Sequence, residues 1–271
     1  NTISNDDACS SQNGDNTYCH GCYSDLYGSC DECNEEYSQN NLEDGLCREC
    51  LAERNGVHEA RYKPTPQYHG KGPLYAGTEV EIECKDKDAD IDIVKGSSLS
   101  ETLYLKSDGS LQDGFEIVSH PMDREYIASH KGEFEELFGA LASNGARSWD
   151  TDTCGMHVHL SKNQFTTLHI YKLLRFVYEN QSLILRLSGR KSIEKLNEWA
   201  NVADNGTAPL AIRKAKDGNN RRYEAINLQN RRTVEFRIFR GSLNPKRYFQ
   251  NLETVFALFY FTKNASLQAL T

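Results

Sequence analysis

Alternation of apolar and polar positions, rather than any long apolar run, organises residues 73–161. Strands are predicted near 74–84, 102–107, 113–119 and 154–161, because apolar residues recur at alternate positions: Val80 and Ile82, Leu103 and Leu105, Phe115 and Ile117, and Met156, Val158 and Leu160. Between the last two, Phe134, Leu137, Phe138 and Leu141 recur at helical spacing, and Asn144-Gly145 is a stop signal. NQFTTLHIYKLLRFVYENQSLILRLSG predicts a second, long helix, and SIEKLNEWAN a short third. RYEAINLQ and TVEFRIFRG follow as adjacent strands around the turn QNRR, and a closing helix opens at Pro245. Antiparallel strands with long helices between them make an α+β fold, with helices on one face of the sheet. KDKDADIDIVKGSSLSE, residues 85–101, lacks the spacing of a calcium loop and reads as a solvated hairpin.

The strands carry charge where burial is expected. Glu79 and Glu81 lie two apart and share a strand face, and Glu83 continues the row. Glu116 sits between apolar neighbours, His157 and His159 alternate with Met156, Val158 and Leu160, and Glu235 and Arg237 repeat the arrangement with Arg232 and Arg240 nearby. Buried charge without a partner is costly. One Glu-x-Glu is ordinarily a solvated face and one His-x-His ordinarily no metal site, but four such strands point to a single site. Carboxylates hold hard cations such as magnesium, imidazole tilts the choice toward manganese or zinc, and arginine grips phosphate or carboxylate. That set suits phosphoryl transfer from a nucleotide.

The 271 residues, 26% charged and 38% hydrophobic, suffice for one sizeable core and a small module. Seven of the nine cysteines precede residue 51. Cys30-x-x-Cys33 and Cys47-x-x-Cys50 form a zinc-ribbon or zinc-knuckle pattern in which metal supplies the folding energy. Cys19 and Cys22 look like half of a second site, completed by Cys9 with His20, by residues upstream, or by cross-bracing with the first. The odd cysteine count argues against disulfides. Cys84 and Cys154 read as small buried apolar residues. The chain divides into a cysteine-rich module at 1–52, a linker at 53–72 punctuated by Pro and Gly, and a body at 73–271. Residues 1–50 hold eleven acids against Arg48 alone; of the 39 acids and 31 bases in all, 28 and 30 fall outside them. An acidic module excludes nucleic-acid binding through it. Without a membrane-length apolar run or a secretion signal, no membrane is expected and the location is cytoplasmic. Asn1 at the start and ASLQALT at the end look like cut ends.

Taken in order, GTEVE (77–81), DGFEIVSHP (113–121), GMHVHLS (155–161) and RTVEFRIFRGSLNP (232–245) resemble the strands of the amidoligases, a family within the glutamine synthetase-like carboxylate–amine ligase superfamily. The similarity covers about 73–268 and implies a curved, mainly antiparallel sheet as in glutamine synthetase. It implies a pair of magnesium or manganese ions on Glu79, Glu81, Glu116, His157 and Glu235, with His159 on the phosphates of ATP. Arg237 and Arg240 become catalytic, and Asp108 in SDGSL binds the amine or takes its proton. Arg232 sits one position from its counterpart, and Arg222, with Arg221, stands in for a missing arginine loop beside the nucleotide. The implied reaction is ATP-dependent amide or isopeptide formation through an acyl phosphate, on carboxylate and amine substrates that include peptides or proteins. A phosphotransferase like the guanidino kinases and a non-catalytic adaptor are the alternatives. The zinc module is structural or recruits a protein partner.

Overall fold

A computed structural model describes residues 8–10, 17–47, 50–51, 54, 56–111, 113–202, 213 and 224–270. The chain forms two compact units, 1–62 and 63–271.

The first unit is built from short pieces: β1 (Ala8–Ser10), β2 (Thr17–Cys19), α1 (His20–Leu26), β3 (Tyr27–Ser29), β4 (Glu36–Ser38), β5 (Leu42–Glu43), β6 (Leu46–Cys47) and β7 (Val57–His58). β1 pairs with β2, β3 with β4, and β5 with β6, all antiparallel. Its core is Cys30, Leu46, Cys47 and Cys50, with Tyr37, Leu42 and Leu51 packed against them. So little apolar surface cannot offset the chain entropy of ordering.

The second unit contains β8 (Ala76–Glu83), α2 (Lys87–Lys95), β9 (Leu103–Lys106), β10 (Gly114–Ser119), α3 (Arg124–Ser129), α4 (Lys131–Asn144), β11 (Gly155–Ser161), α5 (Thr167–Glu179), α6 (Gln181–Ser188), α7 (Ile193–Trp199), β12 (Ile226–Asn227), β13 (Thr233–Arg240) and α8 (Pro245–Asn264). Its six strands run β12-β13-β11-β8-β10-β9, and each of these pairings is antiparallel.

One sheet face is closed by helices. Tyr248 of α8 meets Thr78 hydroxyl to hydroxyl at 3.1 Å, Asn251 donates to the Met156 sulfur at 3.3 Å, and Phe134 of α4 stacks on Tyr248 with centroids 5.2 Å apart. Thr78, Val80, Ile82, Met156, Val158 and Leu160 are buried, so the residues between them, Glu79, Glu81, His157 and His159, share the opposite face. α8 starts because Asn244 accepts from the Arg247 amide and Pro245 fills the first position. α4 stops at Gly145, whose φ of +97° only glycine adopts readily.

Three expectations change. Residues 85–101 hold a helix, α2, and not a hairpin: Asp86 caps the Ala89 amide, and Asp88 and Asp90 in the first turn and Lys95 in the last suit the helix dipole. Ile91 and Val94, three apart, are buried and α2 packs on α4, so the DIDIV alternation is half of a helical stripe. The long helix expected over 163–189 is broken at Asn180, whose side-chain amide donates to the carbonyls of Phe176 and Leu270 at 3.0 Å each. The RYEAINLQ strand is only Ile226–Asn227 among the described residues.

Candidate active site

Register assembles the site. Across the sheet, Lys106 faces Glu116 and Glu116 faces Glu81; Glu79 faces His157; His159 faces Glu235. Cross-strand partners project to one side, so residues distant in sequence line one surface. The β11–β13 register shifts between Met156, opposite Phe239, and Val158, opposite Phe236. That bulge inserts one extra residue into β13. In consequence Arg240, three residues beyond Arg237, stands opposite Gly155 on the acidic side.

Two clusters result. Donor atoms of Glu79, His159 and Glu235 lie within 4.8 Å of one another, as do those of Glu81, Asp108 and Glu116. His157 joins them: its Nδ1 is 3.2 Å from Glu79 and 3.7 Å from Glu235, and its Nε2 is 4.0 Å from Glu81. His159, expected at the phosphates, sits inside the first cluster, with Nε2 3.4 Å from Glu79 and Nδ1 3.1 Å from the Thr233 hydroxyl. Asp108, expected to serve the amine, is grouped with two acids and accepts from the Ser110 amide at 2.6 Å. Arg237 pairs with Glu235 at 2.5 Å. Arg240 lies over the Trp149 ring at 4.2 Å and 3.4 Å from Asp150. Arg232 is exposed ahead of β13, apart from the buried clusters; Arg221 and Arg222 lie outside the described residues.

Burial raises the Glu79 carboxyl, but His159 and His157 outweigh it and hold it well below the usual range. Glu235 is lowered for a similar reason: burial opposes, while His159, His157 and Arg237 prevail. Glu116 goes the other way. Burial, then the charge of Glu79, push it up to about 8. Lys106 lies 3.3 Å away, an ion pair that should lower it, yet one partly exposed ammonium does not offset desolvation plus the carboxylates of Glu79, Glu81 and Asp108. Burial works against the charge on His159 and Glu79 works for it, leaving it raised.

These residues fit a divalent cation. The donors are hard carboxylate oxygens with imidazole, the acids crowd until one resists ionising, and the buried His159 Nε2 makes no hydrogen bond among the described residues. A cavity of about 790 Å³ lined by Phe138, Trp149, Asp150, Pro245 and Arg247 includes none of these acids or imidazoles.

Residues 89–207 match the family model described as "Putative amidoligase enzyme". That stretch of the body is similar to the amidoligases. The matched stretch includes Asp108, Glu116, His157 and His159 and stops short of Glu79, Glu81, Glu235 and Arg237. No curated protein matches the chain. Among solved structures it is similar to glutamine synthetase from Plasmodium falciparum, determined by cryo-electron microscopy, at 10% identity and a TM-score of 0.39, over 87% of this chain and 60% of that one. The chain thus spans about three-fifths of that protein.

Three participants escaped the amidoligase pattern. Lys106 could have been found from the alternation of LYLK beside the Glu116 strand. Asn227, which donates to Glu235 at 2.7 Å, and Arg190, in a loop after α6, carry no local signal.

In the first unit the thiols of Cys30, Cys33, Cys47 and Cys50 lie within 4.8 Å of one another, and none is in a disulfide. Four thiolates so placed can hold one zinc ion. Burial raises the Cys30 thiol, but the amides of Cys47, Cys33 and Glu32 prevail and bring it to about 6. Cys19 and Cys22 adjoin, the Cys22 amide lying 3.3 Å from the Cys19 sulfur. The Cys9 side chain lies outside what is described, and no third ligand joins the pair among the described residues. Burial pushes Cys154 up to about 12, which suits an inert thiol. No helix of the described residues is long and apolar enough to cross a membrane.

Proposed function

We propose that the body is an ATP-dependent carboxylate–amine ligase that makes an amide or isopeptide bond through an acyl phosphate. The observation that carries this is the pair of adjoining clusters, one of acids with imidazole and one of acids alone, on the sheet face away from α4 and α8, flanked by Arg237 and Arg240. In this reading Glu79, His159 and Glu235 hold one magnesium or manganese ion, Glu81 and Glu116 hold another with Asp108 beside them, and His157 between the two serves as a ligand as well. Bound cations supply charge to neutralise phosphoryl oxygens. Arg237 and Arg240 bind the transferring group or the substrate carboxylate through paired donors. A carboxylate oxygen takes the terminal phosphoryl of ATP as the bond to ADP breaks; the amine then attacks the acyl carbon and phosphate leaves. Asp108 is only partly buried, whereas Glu81 and Glu116 are buried, so it is the acid placed to receive the proton lost by the amine. The amino-terminal module holds structural zinc and recruits a protein partner, so that carboxylate or amine belongs to a peptide or protein.

The test is release of ADP and phosphate from Mg-ATP or Mn-ATP with pools of peptide carboxylates and amines. Turnover should require both pools apart from slow hydrolysis, and Glu235→Gln should abolish it with the fold intact. A phosphorylated product formed without amine would assign a phosphotransferase. Near-normal ATP consumption by Glu235→Gln would count against the site itself.

A further inference from the structure

Gly155 opens β11 between the acidic clusters and the arginines. A Cβ at that position would lie 3.4 Å from each of three atoms: Arg190 Nη2, Glu81 Oε2 and His157 Nε2. A guanidinium, a carboxylate and an imidazole therefore ring one small space, left open because residue 155 has no side chain. Arg190 reaches it from the loop that follows α6, just after Gly189, which ends that helix at φ +72°. Its Nη2 donates to the Phe239 carbonyl at 3.1 Å, while its buried Nε makes no hydrogen bond among the described residues. Burial lowers its pKa to about 10; Glu81 opposes that, and Arg240 and Arg237 add to it. Arg240, opposite Gly155 across the sheet, thus shares this region with Arg190 and Glu81.

A purely bracing role for Arg190, tying its loop to β13, would be met by the Phe239 bond alone. It would not explain a second guanidinium nitrogen left without a partner, nor a glycine where alanine would make only ordinary contacts. From these we infer that Arg190 is an anion-binding residue, and that the space over Gly155 takes a phosphoryl oxygen between this guanidinium and the cation ligands Glu81 and His157. The inference rests on the reading that those ligands hold a divalent cation. A phosphoryl group is favoured over a carboxylate because it offers three oxygens, enough to meet a cation and a guanidinium together.

The experiment uses the full chain with manganese and inorganic phosphate. Free manganese is counted by electron paramagnetic resonance, and phosphate binding is read from paramagnetic broadening of its phosphorus resonance. The unsubstituted protein should bind both. Arg190→Gln should weaken phosphate by about tenfold or more, the cost of one charge-assisted hydrogen bond, with manganese binding little changed. Arg190→Lys should recover part of the loss. Gly155→Ala should keep its urea midpoint and still lose phosphate, a result that a bracing role does not produce. Phosphate binding unaltered in both Arg190→Gln and Gly155→Ala would overturn the assignment, as would manganese binding without any phosphate binding in the unsubstituted protein. Displacement of phosphate by acetate at lower concentration would give the space to a carboxylate and overturn the phosphoryl assignment. Absence of manganese binding in the unsubstituted protein would fail at the earlier step and sink the cation reading along with this one.

Discussion

Glu116→Gln should make the cation-free protein more stable while destroying its response to cations. Glu116 is 5% exposed and its carboxyl is raised to about 8, against an ordinary value of about 4.3. The folded value exceeds the unfolded one, so the stability tied to this proton is fully present below about pH 4.5 and is lost as pH rises toward 8. At pH 7 the difference spans roughly 2.5 units, or about 3.5 kcal/mol at about 1.4 kcal/mol per unit. Glutamine escapes that cost, and Lys106, 3.3 Å away, loses little, because a carboxyl raised to about 8 is already mostly protonated at pH 7 and the amide oxygen still accepts. The net gain is about 3.5 kcal/mol at most. Both tryptophans, Trp149 and Trp199, lie in the second unit, so urea unfolding followed by their fluorescence reports on the body while zinc stays in the module. Saturating magnesium or manganese, at about a thousandfold excess over Kd, should stabilise the unsubstituted protein by about 4.1 kcal/mol and the variant by little. The two curves therefore cross on adding cation, and the cation-free gap narrows toward pH 5. A variant less stable than its parent without cation, or equally stabilised with it, would refute the electrostatic reasoning.

Loss of ATP turnover in Glu235→Gln, read by ADP release, tests the first cluster independently of Glu116. Cys47→Ser should expel zinc, measured by metal analysis, and unfold the module while the tryptophan-reported midpoint of the body is unchanged. His169 is buried with Nε2 3.0 Å from both the Phe259 carbonyl and the Thr262 hydroxyl, and burial lowers it to about 4. Its folded value lies below the unfolded one, so stability present above pH 6.5 is lost between there and about 4, by an amount on the order of 2 kcal/mol; His169→Asn should flatten that part of a urea-midpoint profile.

The parts of the site legible in the sequence are those set by a period of two. Glu79 with Glu81, and His157 with His159, share a face by local geometry alone, and the structure brings both pairs to one surface. What joins them is register, which no single segment encodes: Glu79 stands opposite His157, 78 residues away. Arg190 was invisible because it reaches the site from a loop after a helix, where neither period applies. The DIDIV stretch misled because strand-like alternation in five residues also fits one turn of a helical stripe, and burial of Ile91 and Val94 against α4 decided the matter. The cysteine module was easier, since paired Cys-x-x-Cys turns state their chemistry without a fold.

The surplus residue between Arg237 and Arg240 has an evolutionary corollary. Had the strand stayed regular over the same residues, the final guanidinium would look at the helical layer and Phe239 at the carboxylates. Sister chains should therefore carry either this insertion with its kink or an unkinked strand whose arginines stand two places apart, the change in length and the change in spacing going together.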